Sequence, residues 1–258
     1  MGFEGPRWID RVRRLCQEWV LRRLYDLAEK PIFADPLEKI PWLPANSSKA
    51  VSIPIGGNLP EPPSRPESLD SRNGNPKVVA IYCLSDAPHR GFELEDISRV
   101  VGLLASDGLK LRLVFLGRGT PESKRDIERA LGGMPVEVVN LGIRAAAEVS
   151  RVLGESDAML CVRGRLFPRR GSALAGITCG LPIVAYAGAS EGTPIAEAGV
   201  ELVPYRDAKA LSRSLRRILE DPEHWKRLHL RSLVARAKYF SWNAIAERFA
   251  CALGVKAS

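Results

Sequence analysis

The chain has 258 residues, 45% of them apolar, and a formal net charge of +8. This length suits one large domain, or one domain plus a fragment, more than two complete domains. No apolar run reaches the ~18 residues of a transmembrane span, and the start, Met1-Gly2-Phe3-Glu4-Gly5-Pro6, has neither the apolar core of a signal peptide nor the Ser or Thr of a myristoylation signal.

The five cysteines, Cys16, Cys83, Cys161, Cys179 and Cys251, are far apart and mostly inside apolar runs, with no C-x-x-C. They read as buried free thiols in a reducing, cytoplasmic compartment. His89, His224 and His229 are not at ligand spacing, so no metal site is assigned. The positive charge fits an anionic partner (phosphate, nucleic acid or acidic membrane) and equally a solvated surface. The basic residues are scattered, with no aromatic-interleaved basic strand, which argues against nucleic acid.

Residues 1–44 begin with a helical pattern. Trp8, Val12, Leu15 and Trp19 repeat at helical spacing, and Ile9, Cys16 and Val20 widen the stripe. Arg7, Arg11, Arg14, Glu18, Arg22 and Asp26 fall on the opposite face. The helix is predicted to stop near Lys30, before Pro31, with a short strand at Ile32-Phe33-Ala34. A second short strand is predicted at Val51–Ile55, closed by Gly56-Gly57-Asn58. Leu59 to Pro76, rich in Pro, Ser, Arg and Asn, reads as a connection, with the linker proper at 61–76.

From Lys77 short apolar runs alternate with amphipathic segments. Strands are predicted at Val78–Tyr82, Leu111–Leu116, Val136–Val139, Ala158–Val162, Ile183–Tyr186 and Glu201–Val203. Helices are predicted between them at 93–106, 121–131, 145–154 and 172–179. Near-continuous Val, Ile and Leu strands are buried on both faces, and helices of this length are the crossovers that parallel strands require. The pattern predicts an α/β, Rossmann-like doubly wound parallel sheet over 77–240, with additional helices at both ends. Three closing helices follow, at 207–219, 222–238 and 242–252.

In such a sheet ligands bind beyond the carboxyl ends of the strands. The loop Arg163 to Ser172 leads into a helix start. There Gly171 permits close approach, Ser172 can cap or donate, and Arg169 and Arg170 add charge, which together make a diphosphate cradle. The same residues also fit an ordinary Ser N-cap beside two solvated arginines. A second loop, Cys83 to Gly91, offers Arg90 and His89. A third, Gly188 to Pro194, offers Glu191, Gly192 and Thr193, or is a plain turn. The G-x-G-x-x-G dinucleotide fingerprint is absent after the first strand.

Several segments, in order, resemble the family-four, retaining GT-B glycosyltransferases. Cys179-Gly180-Leu181-Pro182-Ile183-Val184-Ala185 is similar to that family's C-G-x-P-V-V-A turn. Leu113 to Gly117, Ser156-Asp157-Ala158, Val200 to Leu211, Phe240-Ser241-Trp242 and Ile53 to Pro60 match further elements of it. The resemblance covers about residues 50–252. It implies the donor-binding half of an enzyme that transfers a hexosyl group from a nucleotide-sugar, with that substrate in place of any cofactor. It implies Arg90, Arg169, Arg170, Gly171 and Ser172 on the diphosphate, Glu191, Gly192 and Thr193 on the sugar or ribose, and no assignable base. Two departures stand out. The family's paired glutamates would fall at Phe167 and Ala175, neither acidic. Of the N-terminal half only a remnant, residues 1–60, is expected, so that a domain of ~100–150 residues is missing. That leaves a truncated or split enzyme, or else a non-catalytic nucleotide- or protein-binding module. The apolar stripe within residues 8–27 must then find a surface: the final helix Ala244–Leu253, a second chain, or an anionic membrane.

Overall fold

The computed structural model describes residues 7–44, 46–63, 76–86, 89–188 and 193–255. They form two compact units, Met1–Ile55 with Ile245–Ser258, and Gly56–Ala244. Most of the predicted linker, residues 64–75, lies outside the described residues.

The first unit opens with α1, Arg7–Leu27. Two short strands, β1 (Ile32–Phe33) and β2 (Val51–Ser52), pair in parallel through Ile32 with Val51. The closing helix of the chain, Trp242–Leu253, begins at the end of the second unit and runs into the first.

The second unit is a six-stranded, all-parallel sheet. Its strands are β3 (Lys77–Tyr82), β4 (Leu111–Leu116), β5 (Val136–Gly142), β6 (Ala158–Arg165), β7 (Ile183–Tyr186) and β8 (Val200–Val203), in the order β5-β4-β3-β6-β7-β8. Counted from β3 this is 3-2-1-4-5-6, the doubly wound order, and its direction reverses between β3 and β6. The crossovers are α2 (His89–Ser106), α3 (Lys124–Leu131), α4 (Ala146–Gly154), α5 (Gly171–Thr178) and the short α6 (Pro194–Glu197). Two longer helices, α7 (Ala208–Glu220) and α8 (Pro222–Ala235), follow β8.

Alternation along each strand feeds two cores. Val79, Ile81 and Phe115 join Ile97 and Leu104 of α2 and Leu215 and Trp225 of α7 and α8 on one face. Ala80, Leu116 and Met159 join Leu153 of α4 and Ala175 and Ile177 of α5 on the other. Asp157 sets the central register: its carboxylate accepts from the Val78 N–H at 2.6 Å, and its carbonyl accepts from the buried Trp225 indole at 2.7 Å. The Asp221 and Asp207 carboxylates cap α8 and α7 through the N–H groups of His224 and Ala210.

All five cysteines are free; Cys161 and Cys179 are buried, but Cys16 and Cys251 are exposed. Cys16 lies on α1 and Cys251 on the closing helix, and the exposure of both corrects the expectation of burial. The α1 stripe is uncovered, with Trp8 64% and Trp19 66% exposed, so the closing helix does not bury it. Among the described residues no helix is long and apolar enough to cross a membrane.

Candidate functional site

The register explains where a crevice opens. β3 and β6 pair only through Val79 with Ala158 and Ala80 with Met159. Beyond those positions the two central strands separate, because α2 leaves β3 toward one face while α5 packs on the other. β6 also shifts register against β7 between Cys161 and Arg165, which inserts Val162, Arg163 and Gly164 at the mouth.

A cavity of about 370 Å³ fills this crevice on the α5 side. Its walls are the strand ends: Tyr82 and Cys83 after β3, Gly117 and Arg118 after β4, and Ile143 and Arg144 after β5. These ends are tied laterally, since Cys83 N–H donates to the Leu116 carbonyl, Leu84 to Arg118 and Gly117 to Gly142. Gly117 is obligatory there: its φ is +91°, and a Cβ would lie 2.8 Å from both the Cys83 thiol and the Tyr82 ring. Cys83 itself holds a left-handed φ of 66°, a strained backbone placed at the crevice.

The fourth wall is the turn from β6 into α5: Arg163, Phe167, Arg169, Arg170, Gly171 and Ser172. The helix begins at Gly171, with Arg170 in the cap position and no side chain capping it. Its first N–H groups have no partner within the helix and carry the positive end of its dipole. A Cβ built on Gly171 meets nothing within 4 Å, so the backbone faces open space. Ser172 is not the cap that the sequence suggests. It sits one residue inside the helix, its hydroxyl 3.9 Å from the Cys161 sulfur.

Five arginines, Arg118, Arg144, Arg163, Arg169 and Arg170, line this cavity, and among the described residues no carboxylate does, although Arg144 is paired outside the lining with Glu148 at 3.2 Å. Arg170 stacks on the Phe167 ring at 4.2 Å and donates to the Arg165 carbonyl at 3.0 Å, while its Nε is buried without a hydrogen-bond partner. Burial pushes its guanidinium below the ordinary arginine range, and the Arg163 charge adds to this. Phe167 occupies one of the positions where the resemblance has an acid, and there it holds an arginine by its ring face. Ala175, at the other, is fully buried in the α5 core, where a carboxylate would have no outlet.

Two other hollows have a different character. A smaller cavity of about 180 Å³ lies across Arg163, against α2, and includes His89, Glu93, Asp96 and Tyr186. Glu93 accepts from the Ser85 N–H at 2.9 Å, and the Tyr186 hydroxyl donates to Asp96 at 2.6 Å. A larger, shallower one of about 550 Å³ lies against α8 around Leu230 and Val234. It is away from the strand ends, and its Arg231 is engaged by the carbonyls of Ala196 and Glu197.

Of the residues chosen from sequence, Arg169, Arg170, Gly171 and Ser172 converge on the arginine-lined cavity. Arg90 is not among its lining residues. Helix α2 starts at His89, four residues before the predicted start, which puts Arg90 in its first turn with Nη2 3.0 Å from Asp126 of α3. Glu191 and Gly192 lie outside the described residues. Thr193 is buried at the start of α6, its carbonyl accepting from Ala196. Arg118, Arg144 and Arg163 were not singled out from sequence. The signal for them is their place directly beyond β4, β5 and the apolar part of β6.

No family model matches the chain, and no curated protein matches it in sequence. Solved structures do match. A sucrose-phosphate synthase from Thermosynechococcus elongatus superposes with a TM-score of 0.67 at 21% identity, over 93% of this chain and 61% of that one. TarM of S. aureus, in complex with fondaparinux, α-GlcNAc-glycerol and UDP, gives 0.61 at 11% identity over 88% and 44%. A glycosyltransferase from Rickettsia africae gives 0.58 at 14% over 87% and 64%. The chain therefore has the fold of GT-B glycosyltransferases and spans less than two-thirds of these relatives' length.

Proposed function

We propose that the chain is the donor-binding part of a glycosyltransferase and that its arginine-lined cavity takes the diphosphate of a nucleotide-sugar. The observation that carries this is the convergence of five arginines, an uncapped helix start and an open Gly171 at the switch point, with no carboxylate among the described lining residues. Such a lining selects an anion with several charged oxygens. The glycosyltransferase neighbours, one of them in complex with UDP, support the choice of a nucleoside diphosphate over a bare phosphate.

In the transfer, the bond from the anomeric carbon to the diphosphate oxygen breaks, and a bond to an acceptor hydroxyl oxygen forms as that hydroxyl loses its proton. Negative charge grows on the departing diphosphate. On this reading Arg169, Arg170 and the α5 N–H groups face that charge and favour the transition state over the ground state. The unpartnered Arg170 Nε supplies a donor held ready by the Phe167 ring.

The test is calorimetry with UDP, GDP and ADP on the wild type and on Arg169→Ala with Arg170→Ala. At least one diphosphate should bind, and the double variant should lose about 1.5–3 kcal/mol for each charged hydrogen bond removed. Unchanged affinity in the variant would refute the site, and no binding of any of the three by the wild type would refute the reading.

A further inference from the structure

We propose that α1 docks on an anionic lipid surface. The helix is not a loose end. Its last turn is fixed within its own unit by the Tyr25 ring, edge-on to Trp42 at 6.0 Å, and by the Tyr25 hydroxyl 2.5 Å from Ser47 Oγ. The Lys49 ammonium reaches the carbonyls of Tyr25 and Ala28 at 2.5 and 3.1 Å, a cation placed at the negative end of the helix dipole. Ahead of that anchor Trp8, Ile9, Val12, Leu15, Trp19 and Val20 stand exposed along one side. At 1.5 Å per residue the stripe is roughly 20 Å long, and patches of this kind seldom stay bare on soluble monomers.

Charge decides the occupant. At helical spacing Arg11 borders the Leu15 edge of the stripe and Arg13 the Val20 edge, with Arg14 on the far side and Arg23 one turn on. The acids are fewer, Asp10, Glu18 and Asp26, and Glu18 is taken up by Arg22 at 2.7 Å. A second copy would bring these arginine rows together in a chain already carrying +8, and like charges repel. A neutral apolar groove would leave them without countercharge. An anionic bilayer interface answers both features: tryptophans sit at headgroup depth, and arginine stems lie along the apolar boundary with their heads among the phosphates.

The test uses the full chain with sedimented vesicles of phosphatidylcholine alone and of phosphatidylcholine with phosphatidylglycerol in equal parts. The wild type should bind the anionic vesicles, with a blue shift of tryptophan emission, and leave the neutral ones. Each arginine near such a surface contributes about a fivefold gain in partitioning, so Arg11→Gln and Arg13→Gln together should weaken it roughly 25-fold. Trp8→Ser with Trp19→Ser should abolish it without lowering the unfolding temperature, since both rings are exposed. No binding to anionic vesicles, or equal binding to both kinds, would overturn the proposal. So would a wild-type dimer that the tryptophan variant dissolves, which would assign the stripe to a second copy.

Discussion

Gly171→Ala separates the fold from the site in one substitution. Gly171 is the first residue of α5, and a Cβ there meets no protein atom within 4 Å. The methyl group therefore costs the folded chain no space. It also lowers the entropy of the unfolded chain, which stabilises by about 0.4–1 kcal/mol at a compatible position. For a unit of this size that raises the unfolding temperature by roughly 1–4 °C. The ligand meets the opposite effect. An oxygen bound to the first N–H groups of α5 must come within ~3 Å of nitrogen, while a methyl carbon holds neighbours off at about 3.5 Å or more. One charged hydrogen bond lost is about 1.5–3 kcal/mol, roughly a ten- to hundredfold rise in Kd. Denaturant unfolding of the free protein and calorimetry with the diphosphate that the wild type binds give the two readouts. A more stable variant with wild-type affinity would place the anion elsewhere. A less stable variant would refute the open helix start itself.

Burial pushes the Glu93 carboxyl above its ordinary value of 4.5, so in that range the folded chain holds a proton the unfolded chain has lost. Stability accordingly falls as pH rises from the ordinary glutamate range through the raised value, and stays lower above it. Glu93→Gln keeps an acceptor for the Ser85 N–H and cannot ionise, so its stability curve should be flatter over that window and higher near neutrality; a curve parallel to the wild type's would contradict this. Trp225→Phe removes the indole donor to the Asp157 carbonyl at the base of β6 and should cost about 1–3 kcal/mol in urea unfolding. A loss within experimental error would show that the bond does not hold the central register.

The sheet was readable because its strands are apolar on both faces, and three of them, β4, β7 and nearly all of β3, start and stop where apolar runs do. β5 and β6 run on past Val139 and Val162, through Asn140 and Arg163, because pairing at the crevice mouth does not need apolar side chains. α2 starts at His89, ahead of the first apolar repeat. Arg90, expected in the loop after β3, is therefore in the first turn of α2, against Asp126. The Arg169–Ser172 turn was legible because charge, glycine and a helix start coincide in one segment. Arg118 and Arg144 belong to separate loops, and only the strand order brings them opposite that turn. Sequence proximity shows what one loop contains; parallel topology decides which loops meet.

The crevice between β3 and β6 is owed to connectivity. Any chain with this strand order parts its central strands at the reversal, whichever side chains stand there. The scaffold therefore tolerates a rewritten lining. Phe167 gives a flat support under a guanidinium without entering either of the cores that hold the sheet. Fold and ligand are thus set by different residues: the strands fix where the crevice lies, and the arginines fix what it attracts.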